Sequence, residues 1–196
     1  MSEFWSVVLK DANRYPMAGK RSVLKTYLLF PGFRYTLILR FQQHLRRTNW
    51  RLLSRLMTVL VLRQQLKTGI QINPGCQMGA GLYIPHFGTI VVNPTVTLGE
   101  NVYLSHNITL GKVHSGKRQG APKIGNDVFI GAGAVVIGNV HIGNNAFLCP
   151  NCVVIDDVPD NAVVSGQPAK IISMKGASAA LEGTPSLKGH SLMPKG

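Results

Sequence analysis

Six histidines are the groups in this 196-residue chain best suited to move a proton near neutral pH. A hydroxyl is a poor nucleophile until a base takes its proton, and an imidazole can do that work. His86 stands in Pro85-His86-Phe87-Gly88, and His106 and His114 follow it. Three converging imidazoles could instead hold a zinc ion. His44, His141 and His190 lie apart from any irregularity and read as incidental. Cys149-Pro150-Asn151-Cys152 has the spacing of a redox or zinc pair, but no second ligand pair occurs, and packing is the better reading. Cations gather in one stretch, Lys112, His114, Lys117, Arg118 and Lys123, where they could meet an anionic ligand.

The elements that must position these groups follow from a six-residue period. Ile124, Ile130, Val136, Ile142, Leu148 and Val154 recur without a miss, with Val128, Ala134, Val140, Ala146 and Cys152 at a second small or aliphatic position. An earlier run, Ile72, Met78, Ile84 and Ile90, continues as Val92, Leu98, Leu104 and Leu110 after a two-residue shift. Six fits neither a heptad nor an α-helix. It fits a short strand and a turn, three of which close a triangular coil of about 18 residues, with coils stacking about 4.8 Å apart. Gly125-Asn126, Gly138-Asn139 and Gly143-Asn144 are expected to supply left-handed backbone at the corners. The period breaks at Gly111–Lys123, which reads as a loop expelled from a coil, and around Pro85-His86-Phe87-Gly88. A strict repeat that breaks is often serving something other than packing.

Three regions result: a basic α-helical segment over 1–68, a parallel β-helix over 69–172, and a Gly/Ser/Ala/Pro-rich tail over 173–196 expected to be mobile. Residues 1–67 hold 13 basic and 2 acidic groups, whereas 68–172 hold five of each. A nucleic-acid binder usually spreads its positive charge over the recognition surface, so the neutral main segment argues against one. In the helical segment Pro31-Gly32 marks a break. Leu37, Ile38, Phe41 and Leu45 form one stripe, flanked by Arg34, Arg40, Arg46 and Arg47. Trp50, Leu53, Leu56, Met57 and Leu60 form another, with Arg51 and Arg55 opposite. Such helices either pack on a core or sister subunit with a solvated basic face, or lie on an anionic membrane. No apolar run is long enough to span a bilayer, no signal peptide opens the chain, and three cysteines make no disulfide framework. A cytoplasmic protein is expected, with peripheral contact at the inner membrane as an option.

Gly69–Ile172 resembles the serine acetyltransferase branch of the hexapeptide-repeat acyltransferases. The matching residues are Ile84-Pro85-His86-Phe87-Gly88-Thr89-Ile90-Val91-Val92, Ile108-Thr109-Leu110-Gly111, Pro122-Lys123-Ile124-Gly125, Ile130-Gly131-Ala132-Gly133-Ala134-Val135 and Ser165-Gly166-Gln167-Pro168-Ala169-Lys170. The helical leader with Pro31-Gly32-Phe33-Arg34-Tyr35 looks more like relatives that acetylate capsule or exopolysaccharide sugars. The resemblance implies a mainly β protein built on a left-handed parallel β-helix, homotrimers, acetyl-CoA as donor without a metal, and direct acetyl transfer to a hydroxyl. His86 takes the place of the catalytic base. Gly111 and Lys112 occupy the oxyanion-donor position, where backbone N–H groups tolerate the Gly-to-Lys difference. Ala132 and Pro150 line the pantetheine track, Lys170 faces the 3′-phosphate, and Lys123 is a further phosphate candidate. His106 and His114 would line the acceptor site.

The sequence departs from that branch at the acceptor. Gln71 stands where an Asp orients the catalytic His, and it can hold a tautomer but cannot stabilise an imidazolium as an anion does. Pro85 replaces an Asp, Gly120-Ala121 replace an Arg-His pair, and no terminal Ile follows. These groups bind a charged amino acid, so a neutral sugar hydroxyl, on a surface polysaccharide or its lipid-linked precursor, is the favoured expectation. Serine itself is the alternative. A γ-carbonic-anhydrase-like hydratase and a non-catalytic trimer or binding module are more distant readings; the spacing of His86, His106 and His114 does not match the first.

Overall fold

The computed structural model describes residues 2–15 and 23–181, so His190 lies outside the described residues. Each hexad forms a short strand with one aliphatic side chain turned inward. Strands β1 (Ile70–Ile72), β3 (Ile90–Val92), β6 (Ile108–Gly111), β9 (Val135–Ile137) and β12 (Val153–Val154) stack in parallel as the first face of a triangular prism. The second face holds β2 (Gln77–Met78), β4 (Thr97–Leu98), β7 (Lys123–Ile124) and β10 (His141–Ile142). The third holds β5 (Tyr103–Leu104), β8 (Phe129–Ile130), β11 (Phe147–Leu148) and β13 (Val163–Gly166), with Tyr83 bridged below β5. Inward ladders such as Ile84, Leu104, Ile130, Leu148 and Val164 are fully buried and make one continuous core.

The corners correct the turn expectation by one residue. Left-handed backbone occurs at Asn101, Asp127, Asn145 and Asn161, not at Asn126 or Asn144. Of the expected glycines only Gly138 adopts it, at φ 93. Gly99 and Gly125 are needed for a different reason: a Cβ on Gly99 would lie 2.5 Å from the Gly125 carbonyl oxygen of the next coil. Asn126 and Asn144 instead accept N–H bonds from Glu100 and Asn126, at 2.8 and 2.9 Å, and tie coil to coil.

The first coil has no coil beneath it, and side chains from the helical segment supply the missing partners. Its helices are α1 (Ser2–Asn13), α2 (Val23–Leu29), α3 (Pro31–Arg47) and α4 (Arg51–Thr68). The Tyr35 hydroxyl donates to the Ile72 carbonyl at 2.7 Å and accepts from its N–H at 2.9 Å, and Tyr15 treats Ile84 likewise. Asp11 accepts from the N–H groups of Gly81 and Leu82, at 2.7 and 2.9 Å. Arg40 donates to the carbonyls of Met78 and Gly79 and pairs with Asp11 at 3.0 Å. Burial pushes the Asp11 carboxyl up while the Arg40 guanidinium draws it down, and burial also raises the Tyr15 hydroxyl, which stays protonated as its donor role requires. The buried hydroxyls of Tyr15 and Tyr35, the Asp11 carboxylate and the Arg40 guanidinium thus all find partners, as a low-dielectric seam requires.

Pro31-Gly32 marks the break between α2 and α3 and opens the second of them: Pro31 fits a first helical turn, where no N–H partner is needed. Gly32 is required by contact, since a Cβ there would lie 2.0 Å from the Ile84 carbonyl oxygen. Gly32→Ala should lift α3 off the first coil, costing about 1–3 kcal/mol. A thermal melt should show the midpoint falling by several degrees; an unchanged midpoint would mean that this contact does not hold α3. Arg40, expected to flank a solvated face, is buried by its carbonyl and Asp11 partners.

α4 is also turned over. Its core side carries Ser54, Val61 and Thr68, while Leu52, Leu56, Val59 and Leu66 face outward at 75%, 58%, 62% and 90% exposure. At the other end, β14 (Ala169–Ser173) folds back antiparallel on β13. The helix α5 (Gly176–Leu181) is seated by Asn145, whose carbonyl and side-chain oxygens accept from Ala177 and Ser178 at 2.8 and 3.0 Å. The first part of the expected mobile tail is thus anchored, because Ala177 is small enough to be buried against the coil. Residues 182–196 lie outside the described residues.

Candidate active site

The corner joining the third face to the first is where the repeat breaks. In the second to fourth coils that corner holds three residues: Ser105-His106-Asn107, Gly131-Ala132-Gly133 and Cys149-Pro150-Asn151. In the first coil it holds five, Pro85 to Thr89, since Ile84 and Leu104 share a row, as do Ile90 and Ile108. The two added residues push His86 and Phe87 into solvent. Gly88 bends the chain back at φ 133, and its N–H donates to the Thr68 carbonyl at the end of α4, 2.9 Å away. The same α4 terminus is closed by Gly69 in the left-handed conformation, packed on Gly88. The helical segment thereby holds the histidine bulge directly.

This corner forms a row along the prism: His86, His106, Ala132 and Pro150. The rings of His86 and His106 lie edge to face with centroids 5.9 Å apart. The hairpin between β13 and β14 closes the row's far end, where Gln167 donates to the Asn151 carbonyl at 2.7 Å. Lys170, opposite Ser165 on β14, is exposed beside it. Phe87, 70% exposed next to His86, was not singled out by the sequence reading. A large apolar residue inside the break, where other corners carry short or polar ones, was the available signal.

The remaining predicted residues lie elsewhere. Gln71 faces outward from β1 and lines a shallow hollow of about 320 Å³ with Asn93, Thr109 and Gly111. No hydrogen bond joins Gln71 to His86 among the described residues. The reason is geometric: alternation along β1 aims Gln71 outward from the first face, whereas His86 stands on the corner. Gly111 ends β6, and Lys112 and His114 enter the expelled loop, whose Val113 and Gly120 pair antiparallel. Arg118 of that loop is anchored by Asp156. Lys123 sits on the second face between Thr97 and His141, on neither the histidine row nor the loop edge. Within one chain the histidine row and the loop edge are two separate groups with the first face between them. Cys152 points into the core, and burial pushes its thiol up to about 11, which suits packing rather than metal or redox work. No cluster of three metal-ligating groups occurs among the described residues.

The bacterial transferase hexapeptide pattern of six repeats matches residues 121–156. A serine acetyltransferase of Helicobacter pylori is 33% identical over 153 residues, covering 78% of this chain and 88% of that one. The chain belongs to the serine acetyltransferase branch of the hexapeptide-repeat acyltransferases. This acetyltransferase is also 34% identical over 158 residues to the serine acetyltransferase of Synechococcus elongatus, covering 63% of that longer protein. Among solved structures, the Neisseria gonorrhoeae serine acetyltransferase in complex with serine superposes with a TM-score of 0.72 at 30% identity, covering 88% of this chain and 70% of that one. The Brucella abortus enzyme in complex with coenzyme A gives 0.74 at 28%, covering 89% and 68%. The coil is the left-handed β-helix of that family, and the acetyltransferase uses acetyl-CoA as its donor.

Proposed function

We propose that this acetyltransferase moves the acetyl group of acetyl-CoA onto the side-chain hydroxyl of serine, with His86 as the general base. The observation that carries the reading is the identity to a serine acetyltransferase across 88% of its length. It favours serine over the polysaccharide acceptor that the acceptor-site departures suggested. In the reaction the His86 imidazole takes the hydroxyl proton as the oxygen attacks the thioester carbonyl. The C–O bond forms, the C–S bond breaks, and the proton passes to the departing thiolate. Backbone N–H groups at Gly111 and Lys112 would stabilise the oxyanion. Ala132 and Pro150 would guide the pantetheine arm along the corner row, and Lys170 would meet the 3′-phosphate at its end. Lys123 has the weaker claim on a phosphate, since it stands on another face.

The separation of the histidine row from the loop edge supports a trimer, in which the corner of one copy faces the loop of the next. Gly111, Lys112 and His114 would then reach His86, His106 and Phe87 across the interface.

A second reading keeps the sugar acceptor. No Asp or Glu stands in any corner of the histidine row, nor anywhere between Asp11 and Glu100, so a serine ammonium finds no carboxylate at that row. A neutral hydroxyl would not need one. Thiol release from acetyl-CoA, measured with L-serine and with a panel of neutral sugars, separates the two. Release that depends on L-serine is expected. Release with sugars and none with serine would overturn the serine assignment and leave the His86 chemistry standing.

A further inference from the structure

Helix α4 is amphipathic with the wrong side out. Its inner face is held by hydrogen bonds: Gln42 donates to the hydroxyls of Ser54 and Thr58, at 3.3 and 3.2 Å, and Gln65 donates to Tyr35 at 3.3 Å. Its outer face carries Leu52, Leu56, Val59 and Leu66, all exposed, with Leu62 and Arg63 in the turn between the last two. A contiguous apolar stripe on a surface marks a contact site.

Charge identifies the partner. From residue 12 to residue 99 the chain holds twelve Lys and Arg residues and not one Asp or Glu. Arg51, Arg55, Arg63 and Lys67 flank the stripe, and none has an acidic partner among the described residues. At the start of α4 two hollows adjoin. One, about 520 Å³, is lined by Trp50, Leu53 and Leu56; the other, about 460 Å³, opens on the α3 side, where Arg46, Arg51 and Arg55 surround Gln42, Ser54 and Thr58. An apolar hollow beside a triple-arginine hollow matches an acyl chain beside an anionic headgroup. A second copy of α4 would match the leucines but bring Arg63 and Lys67 against their own kind, with no carboxylate in the region to offset them. α4 is not long and apolar enough to cross a membrane, so it would lie in the interface plane.

We infer that α4 seats this protein on membranes containing anionic phospholipid, through its outward leucines and flanking arginines. The inference is independent of which hydroxyl is acetylated.

The test is co-sedimentation of the full chain with vesicles of phosphatidylcholine alone and of phosphatidylcholine with phosphatidylglycerol. Binding to the anionic vesicles only is expected, weakening as salt rises. Reversing Arg51, Arg55 and Arg63 to Glu should weaken it by about fivefold or more per cation. A Leu52→Ser, Leu56→Ser, Leu66→Ser variant should lose it while keeping its thermal midpoint, because these side chains touch no core. Equal binding to neutral vesicles, or none to either, would overturn the inference. So would a serine variant that sediments as a smaller assembly when the parent binds no vesicle, which would give the stripe to a second copy.

Discussion

Replacing His86 by Ala is expected to lower the turnover of acetyl-CoA by about 10²–10⁴-fold, the usual contribution of a positioned general base. Affinity for coenzyme A should change little, because the ring stands at the near end of the corner row and Lys170 at the far end. His106→Ala is the informative companion. Its ring lies 5.9 Å from that of His86, within reach of the same acceptor, so its loss should raise the Michaelis constant for the acceptor more than it lowers turnover. Steady-state kinetics on both variants, with coenzyme A binding measured separately, would check this. If His86→Ala retains full turnover, the base lies elsewhere and the five-residue corner serves only to join α4 to the coil.

Asp11→Ala should be the most destabilising single change in the helical segment, costing about 3–5 kcal/mol in chemical denaturation. Asp11 is 1% exposed, and it both neutralises Arg40 and accepts from two backbone N–H groups of the first coil. Removing it leaves a buried guanidinium uncompensated and two N–H groups unpaired. The double variant Asp11→Ala, Arg40→Met should recover part of that loss, since the stranded charge is gone and only the orphaned backbone groups remain. If the single and double variants are equally unstable, the hydrogen bonds to Gly81 and Leu82 matter more than the ion pair.

The β-helix was legible because its rule is local: an inward aliphatic every six residues needs no knowledge of the rest of the chain. The break at Pro85–Gly88 was legible for the same reason, as a departure from that rule, and the structure explains it as two added residues in one corner. Three things were not legible. Asn144 and Asn145 are both corner residues, but which one takes the left-handed backbone depends on contacts with the coil above, which spacing does not encode. The stripe on α4 was visible while its direction was not, because periodicity gives two faces and only the partners of Ser54, Thr58 and Gln65 show which is inside. The placement of Gln71 on the first face, away from a hydrogen bond with His86, depends on which way a single strand residue alternates. That Gly111 and His86 fall on separate edges follows from the winding, and no motif carries it.

The side chains of Tyr15, Tyr35, Asp11 and Arg40 occupy hydrogen-bonding positions that another turn of strand would otherwise take. A stack of parallel strands with a bare end is a template onto which a neighbouring molecule can extend the ladder indefinitely. Stripped of its leader, this solenoid would present such a template on all three faces at one end, whereas β14 blunts the third face at the other.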